Sequence, residues 1–156
     1  MAAAQAAPAP AARSDVTIRS LAESDLDAAV ALWARTPGVV LTDADSHEAL
    51  VRYLRRNPGL SFVAEAGGVL AGTILCGHDG RRGFIHHLVV APAHRRQGLA
   101  TRLLDAGMHA LRGEGMTRAH LMVLRTNEDG LAFWRAVGRE RDEIGLFSVE
   151  VRTQRS

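Results

Sequence analysis

Hydrophobic residues recur with a helical period in the first part of the chain and with a strand period in its middle. After a short strand at residues 16–19, apolar side chains lie on one helical face from about residue 23 to residue 35. A second helix is predicted from Asp45, which with Glu48 resembles a capping box, to a stop at residues 57–59. Two adjacent helices therefore precede the sheet.

Short apolar runs separated by glycine turns follow. Strands are predicted at residues 61–65, 70–76 and 83–90, and the turns Gly67-Gly68 and Asp79-Gly80 between them indicate hairpins. The remaining pattern predicts a helix at 97–112, a strand at 118–124, a helix at 127–137 and one or two terminal strands within 139–152, the last at 146–151. Because the helix at 97–112 makes a parallel crossover, we expect an α/β fold with a mixed sheet.

The composition is typical of one folded domain. Residues 1–15 are rich in alanine and proline and are expected to form a disordered tail, which leaves residues 16–156 as a single domain. All 19 basic residues are arginine, and with 17 acidic residues the net charge is only +2, which does not indicate nucleic-acid binding. The apolar runs are too short to cross a membrane, so no membrane partner is expected.

The cysteine and histidine residues bear on disulfide formation and metal binding. Cys76 is the only cysteine, so the chain cannot form an internal disulfide, and we expect a buried strand thiol in a cytoplasmic protein. The five histidines other than His86 and His87 show no metal-ligand spacing, and no metal is predicted.

The strand-to-helix turn at residues 90–100, with the sequence VAPAHRRQGLA, gives the strongest functional signal. Such a turn exposes unpaired backbone N–H groups at the positive end of a helix dipole, which favours a phosphate or pyrophosphate. Gly98 lacks a Cβ and lets a ligand approach the backbone, and Ala100 keeps the first helical turn accessible. The turn matches neither a Walker sequence nor a G-x-G-x-x-G dinucleotide turn, which disfavours mononucleotide and nicotinamide binding.

This turn resembles the V-x-P-x-x-R-x-x-G-x-G/A signature of the GNAT acetyltransferases. Residues 127–138 (NEDGLAFWRAVG) resemble the second motif of that family, N-x-x-A/G-x-x-F-Y-x-x-x-G, and the order of elements is similar over about residues 16–151. The resemblance implies a GNAT acyl-CoA N-acyltransferase fold, in which helices flank a mixed, mostly antiparallel sheet whose central strand pair splays apart. It also implies transfer of acetyl from acetyl-CoA to a primary amine, of a small molecule or a peptide, by direct attack.

The resemblance implies cofactor-binding residues as well. The strand before the turn would pair with the pantetheine arm, the turn would hold the pyrophosphate, and the second motif would line the far wall of the cleft. These residues are Leu88, Val89, Val90, Arg95, Arg96, Gln97, Gly98, Leu99, Ala100, Thr101, Asn127, Phe133 and Trp134. Many relatives carry a tyrosine at the position of Trp134 to protonate the leaving thiolate; an indole is not an acid, so that role is unassigned.

A base is needed because a primary amine with a pKa near 10.4 is only about 0.04% neutral at pH 7. His86 and His87 lie on the strand that would pass the thioester, and strand alternation sends them to opposite faces. Counting back from Val90 in steps of two favours His86, whereas a bulge would favour His87. Ordered water is the alternative to either histidine.

The sequence says least about the amine that accepts the acetyl group. Tyr53 lies on the helix that borders the acceptor pocket in relatives and is a candidate substrate contact, with core packing as the alternative. Acidic residues, among them Asp43, Asp45 and Glu48, could attract a cationic amine or form a solvated surface. A non-catalytic acyl-CoA-binding module is the competing function, and both a monomer and a homodimer stay open.

Overall fold

A computed structural model describes residues 15–151 of the chain. The chain divides into two compact units, Met1–Met122 and Val123–Ser156, and each is described by itself. Apart from Asp15, the predicted tail lies outside the described residues. The single domain at 16–156 stays a prediction.

Among its described residues, the first unit contains three α-helices and five strands. In chain order they are β1 (Val16–Ser20), α1 (Leu26–Ala34), α2 (His47–Arg56), β2 (Phe62–Ala66), β3 (Val69–His78), β4 (Gly83–Val90), α3 (Leu99–Gly113) and β5 (Ala119–His120). Short 3₁₀ turns precede α1, α2 and α3. The strands form one sheet in the order β1-β2-β3-β4-β5, antiparallel except for the parallel pair of β4 and β5. The predicted mixed, mostly antiparallel sheet is confirmed.

Helices cover both faces of this sheet, and β3 shows how its residues alternate between them. A Cβ placed on Gly107 of α3 would lie 2.6 Å from the Cys76 sulfur and 3.2 Å from Ile74, so α3 packs closely against that face. On the other face, Leu75 belongs to a buried cluster with residues of α1 and α2, including Leu32 and Leu50. The candidate site lies on the face covered by α1 and α2.

Most predicted elements of this unit are confirmed, with two local corrections. Helix α2 begins at His47 and not at Asp45, because the Ser46 hydroxyl accepts a hydrogen bond from the Ala49 N–H and caps the helix. The strand predicted at residues 118–124 is only two residues long. Its pairing with β4 covers Gly83 with Ala119 and Phe84 with His120, and a strand ends where its ladder ends.

Cys76 is fully buried, as the sequence predicts, and burial raises the pKa of its thiol to about 12. The thiol therefore stays protonated and unreactive near neutral pH.

Within residues 15–151, no helix has both the length and the apolar character that a membrane crossing requires.

The second unit contains one helix, α4 (Glu128–Val137), among its described residues. The predicted terminal strands are wrong: residues 139–151 contain no strand, and Phe147 and Val151 are 88% and 97% exposed. Alternating apolar residues form a strand when a partner supplies hydrogen bonds and one face is buried. This segment has neither among the described residues.

Candidate active site

Strand β4 is paired along its whole length with β3 but only at its start with β5. The parallel pairing ends at Phe84 and His120. From Ile85 to Val90, the edge of β4 on the β5 side has no strand partner within residues 15–151. Unpaired N–H and C=O groups on such an edge can bind an extended ligand as an added strand.

A β-bulge interrupts β4 at its centre. Thr73 of β3 pairs with Val89, and Leu75 pairs with His86, so the single residue Ile74 stands opposite both His87 and Leu88. His87 adopts a left-handed backbone conformation with φ of 45°, which is uncommon for a residue other than glycine. Because the bulge inserts one extra residue, each side chain before it in β4 points to the face opposite to the one that regular alternation from Val90 predicts.

Three buried contacts hold the bulge in place. The His87 imidazole stacks on the fully buried Trp33 ring, with centroids 4.1 Å apart and planes 22° apart. The Trp33 indole N–H donates to the Thr73 hydroxyl at 2.8 Å, and that hydroxyl donates to the His87 carbonyl at 2.9 Å. The side chain and the carbonyl of His87 are therefore both tied to the α1 face of the sheet.

The third contact joins His87 to the turn before α2. Its Nε2 lies 2.6 Å from Asp45 Oδ1, and the two side chains are only 14% and 11% exposed. A carboxylate can only accept a hydrogen bond, so His87 Nε2 is the donor in this contact. Sequence reasoning missed this pair because the residues are 42 positions apart and no local pattern links them.

His86 is held more loosely. It lies edge-on to Tyr53, with ring centroids 6.0 Å apart, and no hydrogen bond joins its side chain to another described residue. Burial lowers the pKa of His86 below its usual value near 6.5, and nearby His87 lowers it further. A lowered pKa keeps the imidazole neutral, and able to accept a proton, at neutral pH.

Both histidines line one cavity of about 570 Å³, a volume within the usual range for small-ligand sites. The expectation that they point to opposite faces is therefore wrong, and so is the count in steps of two from Val90, because the bulge inserts one extra residue. The lining residues are Val40, Thr42, Ala44, Asp45, Ala49, Leu50, Arg52, Tyr53, Arg56, Leu75, His86, His87 and Met122.

Tyr53 lines this cavity, but its hydroxyl is directed away into the protein. The oxygen is buried, lacks a hydrogen-bond partner among the described residues and lies 2.5 Å from where a Cβ on Gly77 would be. Burial raises the pKa of Tyr53 above its usual value, so the hydroxyl stays protonated. Only the ring of Tyr53 is placed to contact a ligand in the cavity.

The turn that follows β4 is open to solvent. Arg96 and Gly98 both have left-handed backbones, with φ of 60° and 73°, and Arg95, Arg96, Gln97 and Gly98 are exposed. Among residues 15–151, no acceptor is bound to the backbone N–H groups from Arg96 to Ala100. Unpaired N–H groups in such a conformation form a concave anion-binding surface at the start of a helix.

Of the predicted cofactor residues in the second unit, Asn127 precedes α4, and Phe133 and Trp134 lie within it. Asn127 caps the helix, since its side-chain oxygen accepts a hydrogen bond from the Gly130 N–H at 2.9 Å. Phe133 and Trp134 pack edge to face, with centroids 5.1 Å apart. Their contact with a cofactor stays a prediction.

Within residues 15–151 no three His, Cys, Asp or Glu side chains are grouped to hold a metal ion, and the absence of a metal also stays a prediction.

The mixed sheet, the parallel pair that ends early and the open turn agree with the fold that the sequence resemblance implies. The family model described as "Acetyltransferase (GNAT) family" matches residues 23–138, so the chain belongs to the GNAT acetyltransferase family and is an acyltransferase. The family resemblance seen in the sequence is thereby confirmed. The chain is similar to an acetyltransferase of Pectobacterium atrosepticum, with 32% identity over 111 residues that cover 71% of this chain and 78% of the relative.

Two solved structures share the fold. One is the PaiA N-acetyltransferase of Thermoplasma acidophilum in complex with coenzyme A, with a TM-score of 0.72, 20% identity and coverage of 84% of this chain and 93% of that one. The other is aminoglycoside N-acetyltransferase AAC(6')-Iy with a bisubstrate analogue, with a TM-score of 0.67, 23% identity and coverage of 89% and 100%. At these identities the likeness concerns the fold alone.

Proposed function

We propose that this chain transfers acetyl from acetyl-CoA to the primary amine of a small molecule or peptide that binds in the 570 Å³ cavity, by direct attack and in the cytoplasm. One observation carries the proposal. Strand β4 brings two histidines into the cavity through its bulge, and a short 3₁₀ turn then connects it to the open turn at residues 95–100. A proton acceptor and an anion-binding turn thus belong to one continuous segment.

The residues of the first unit fit acetyl-CoA. Its pyrophosphate matches the unpaired N–H groups of the turn, which involves Arg95, Arg96, Gln97, Gly98, Leu99, Ala100 and Thr101. Its pantetheine amides match the free edge of β4 at Leu88, Val89 and Val90. When bound there, the cofactor would supply a thioester-activated acetyl group. Asn127, Phe133 and Trp134 complete the proposed set.

His86 is the proposed general base. An amine that enters the cavity as an ammonium ion must lose a proton before its lone pair can attack. His86 is free of hydrogen bonds to described residues, and its lowered pKa keeps it neutral at pH 7, so its imidazole can take that proton directly or through one water. Trp134 receives no proton-transfer role, because an indole N–H is not an acid near neutral pH.

His87 is proposed to act as a positioning residue. One nitrogen is bound to Asp45 and one ring face is covered by Trp33, so the imidazole is fixed on two sides. Because His86 is its neighbour in the chain, fixing the bulge also fixes the direction of His86. A bulge was expected to favour His87 as the base, but the observed contacts favour His86.

The experiment that tests this function measures thiol release from acetyl-CoA across a panel of amines. Ala49 lines the cavity, so Ala49→Phe should fill it and lower kcat/KM for the amine while calorimetric affinity for acetyl-CoA is unchanged. Ala31→Phe places the same ring at an exposed position of α1 and should leave both unchanged. Absence of thiol release with every amine, or equal effects of the two variants, would refute the proposal.

A further inference from the structure

The charged side chains of the cavity show an imbalance toward positive charge. Two arginines, Arg52 and Arg56, line it together with a single acidic residue, Asp45. Asp43 and Glu48, which the sequence made candidates for attracting a cationic amine, are not among the lining residues. The cavity therefore carries two fixed positive charges against one negative charge.

The single carboxylate is already engaged. Asp45 binds His87 at 2.6 Å and its side chain is only 11% exposed. Redirecting it toward a ligand would break this contact and release the bulge that His87 occupies. A polycationic acceptor would thus meet two arginines and no free carboxylate on the cavity wall, which is unfavourable.

The two arginines are uncommitted and adjacent. They lie four residues apart on α2, a spacing that places both on one helix face. Neither forms a salt bridge or a side-chain hydrogen bond within residues 15–151. Arg55, between them in sequence, differs: it binds Glu23 at 2.8 Å and 3.2 Å and does not line the cavity.

Guanidinium groups bind carboxylates and phosphates through paired, charge-assisted hydrogen bonds. The rest of the cavity wall is mainly apolar, contributed by residues such as Val40, Leu75 and Met122, and suits a hydrocarbon spacer. The histidines at β4 lie on a different element from the arginines on α2, so the wall offers a proton acceptor and an anion site on two separate elements.

We infer that the acceptor is a small amine that also carries an oxyanion, a carboxylate or a phosphate, which Arg52 and Arg56 bind while the amine reaches His86. This inference rests on the proposed function and specifies its substrate class. It excludes polyamines and aminoglycosides as preferred acceptors, since they carry several positive charges and no oxyanion.

The test compares pairs of amines of which one member carries the anion and the other does not. The pairs are 6-aminohexanoate with 6-aminohexanamide, and 3-aminopropyl phosphate with 3-aminopropanol, and the pair with the larger preference identifies the oxyanion. Wild type should prefer the anionic member by about tenfold or more in kcat/KM, the ratio expected of one to two charged hydrogen bonds. In the Arg52→Gln/Arg56→Gln double variant this preference should fall to about one. In the matched control Arg55→Gln it should be retained.

A preference near one in wild type, an unchanged preference in the double variant, or faster use of spermidine or neamine would overturn the inference.

A binding measurement tests the inference separately from the proposed function. If no amine is acetylated, the proposed function fails. Calorimetric titration of 6-aminohexanoate and 3-aminopropyl phosphate into the CoA-saturated protein then tests the anion site independently of catalysis. Binding that weakens about tenfold only in the double variant supports the anion site; no binding, or equal binding in both proteins, contradicts it.

Discussion

The bulge in β4 and the turn that follows it are the two irregular backbone segments of the site, and they differ in what holds them. At the bulge, the left-handed residue His87 is fixed through its ring, its side-chain nitrogen and its carbonyl by Trp33, Asp45 and Thr73. At the turn, the left-handed residues Arg96 and Gly98 are exposed, and the nearby N–H groups have no acceptor in the described part of the chain.

This difference separates two tasks. A proton acceptor must be in place before the reaction, and contacts within the protein therefore hold the bulge in its conformation. An anion-binding turn must keep its hydrogen-bond donors free, so its partners have to come from the ligand. Changes at the bulge should therefore affect rate and stability, whereas changes at the turn should affect affinity for acetyl-CoA.

The largest expected effect is at His86. His86→Gln removes the proposed base while keeping a polar side chain, and kcat/KM should fall by about 10²–10⁴, the usual contribution of general-base catalysis. Acetyl-CoA affinity, measured by calorimetry, should stay the same because the turn is untouched. A fall of less than about threefold in a folded variant would remove His86 from the mechanism.

The hydroxyl of Thr73 offers a second test of the bulge. Thr73→Val keeps the shape but leaves the Trp33 N–H without its acceptor and the His87 carbonyl without its donor. We expect the free energy of unfolding to fall by at least about 2 kcal/mol, since two groups are left unsatisfied and each costs about 1–3 kcal/mol, and we expect kcat to fall as well. Thr36→Val is the control: it loses one hydroxyl bond to the Leu32 carbonyl, away from the bulge, and should leave kcat unchanged.

A smaller effect is expected at the turn. Gly98→Ala places a Cβ on a backbone with φ of 73°, so the free turn should relax to another conformation. Restoring the left-handed conformation on binding costs about 1–2 kcal/mol, so acetyl-CoA should bind about tenfold more weakly. Gly80→Ala imposes the same strain at φ of 89° in a hairpin outside the site. It should lower the melting temperature without changing affinity; a loss of affinity in both variants would show that strain alone is responsible.

The smallest effect is expected at Tyr53. Its hydroxyl is buried without a hydrogen-bond partner among the described residues, so Tyr53→Phe removes an unsatisfied polar group and should raise the free energy of unfolding by about 1 kcal/mol. The apparent KM for the amine should also stay constant, because the ring is retained. A large rise in KM would mean that the hydroxyl turns into the cavity when substrate binds.

The order of elements could be predicted because its signals are local. Helical spacing, the turns at Gly67-Gly68 and Asp79-Gly80, and the strand-to-helix turn at Gly98 are each read within a few residues, and the structure has them close to where the sequence places them. The same local rule was wrong for residues 146–151. Alternation there indicates a strand, but a strand also needs a partner, and the pattern contains no information about one.

The histidine site could be predicted only in part for the same reason. The sequence identifies His86 and His87, but the bulge that directs both into one cavity depends on Trp33 and Asp45, which are more than forty residues away in the chain. Strand alternation applies only while the ladder is regular, and nothing near His87 signals the interruption. Sequence reasoning missed Arg52 and Arg56, because their role depends on the cavity wall that they share with β4.

The pH dependence of kcat/KM in wild type, His86→Gln and His87→Gln tests the central claim most directly. Protonation of His86 abolishes its ability to accept a proton, and burial lowers its pKa, so wild-type activity should rise with pH along a limb whose midpoint lies below about 6.5. This limb should disappear in His86→Gln and persist, at reduced overall rate, in His87→Gln. A limb that survives in His86→Gln, or that disappears only in His87→Gln, would contradict the assignment of His86 as the base.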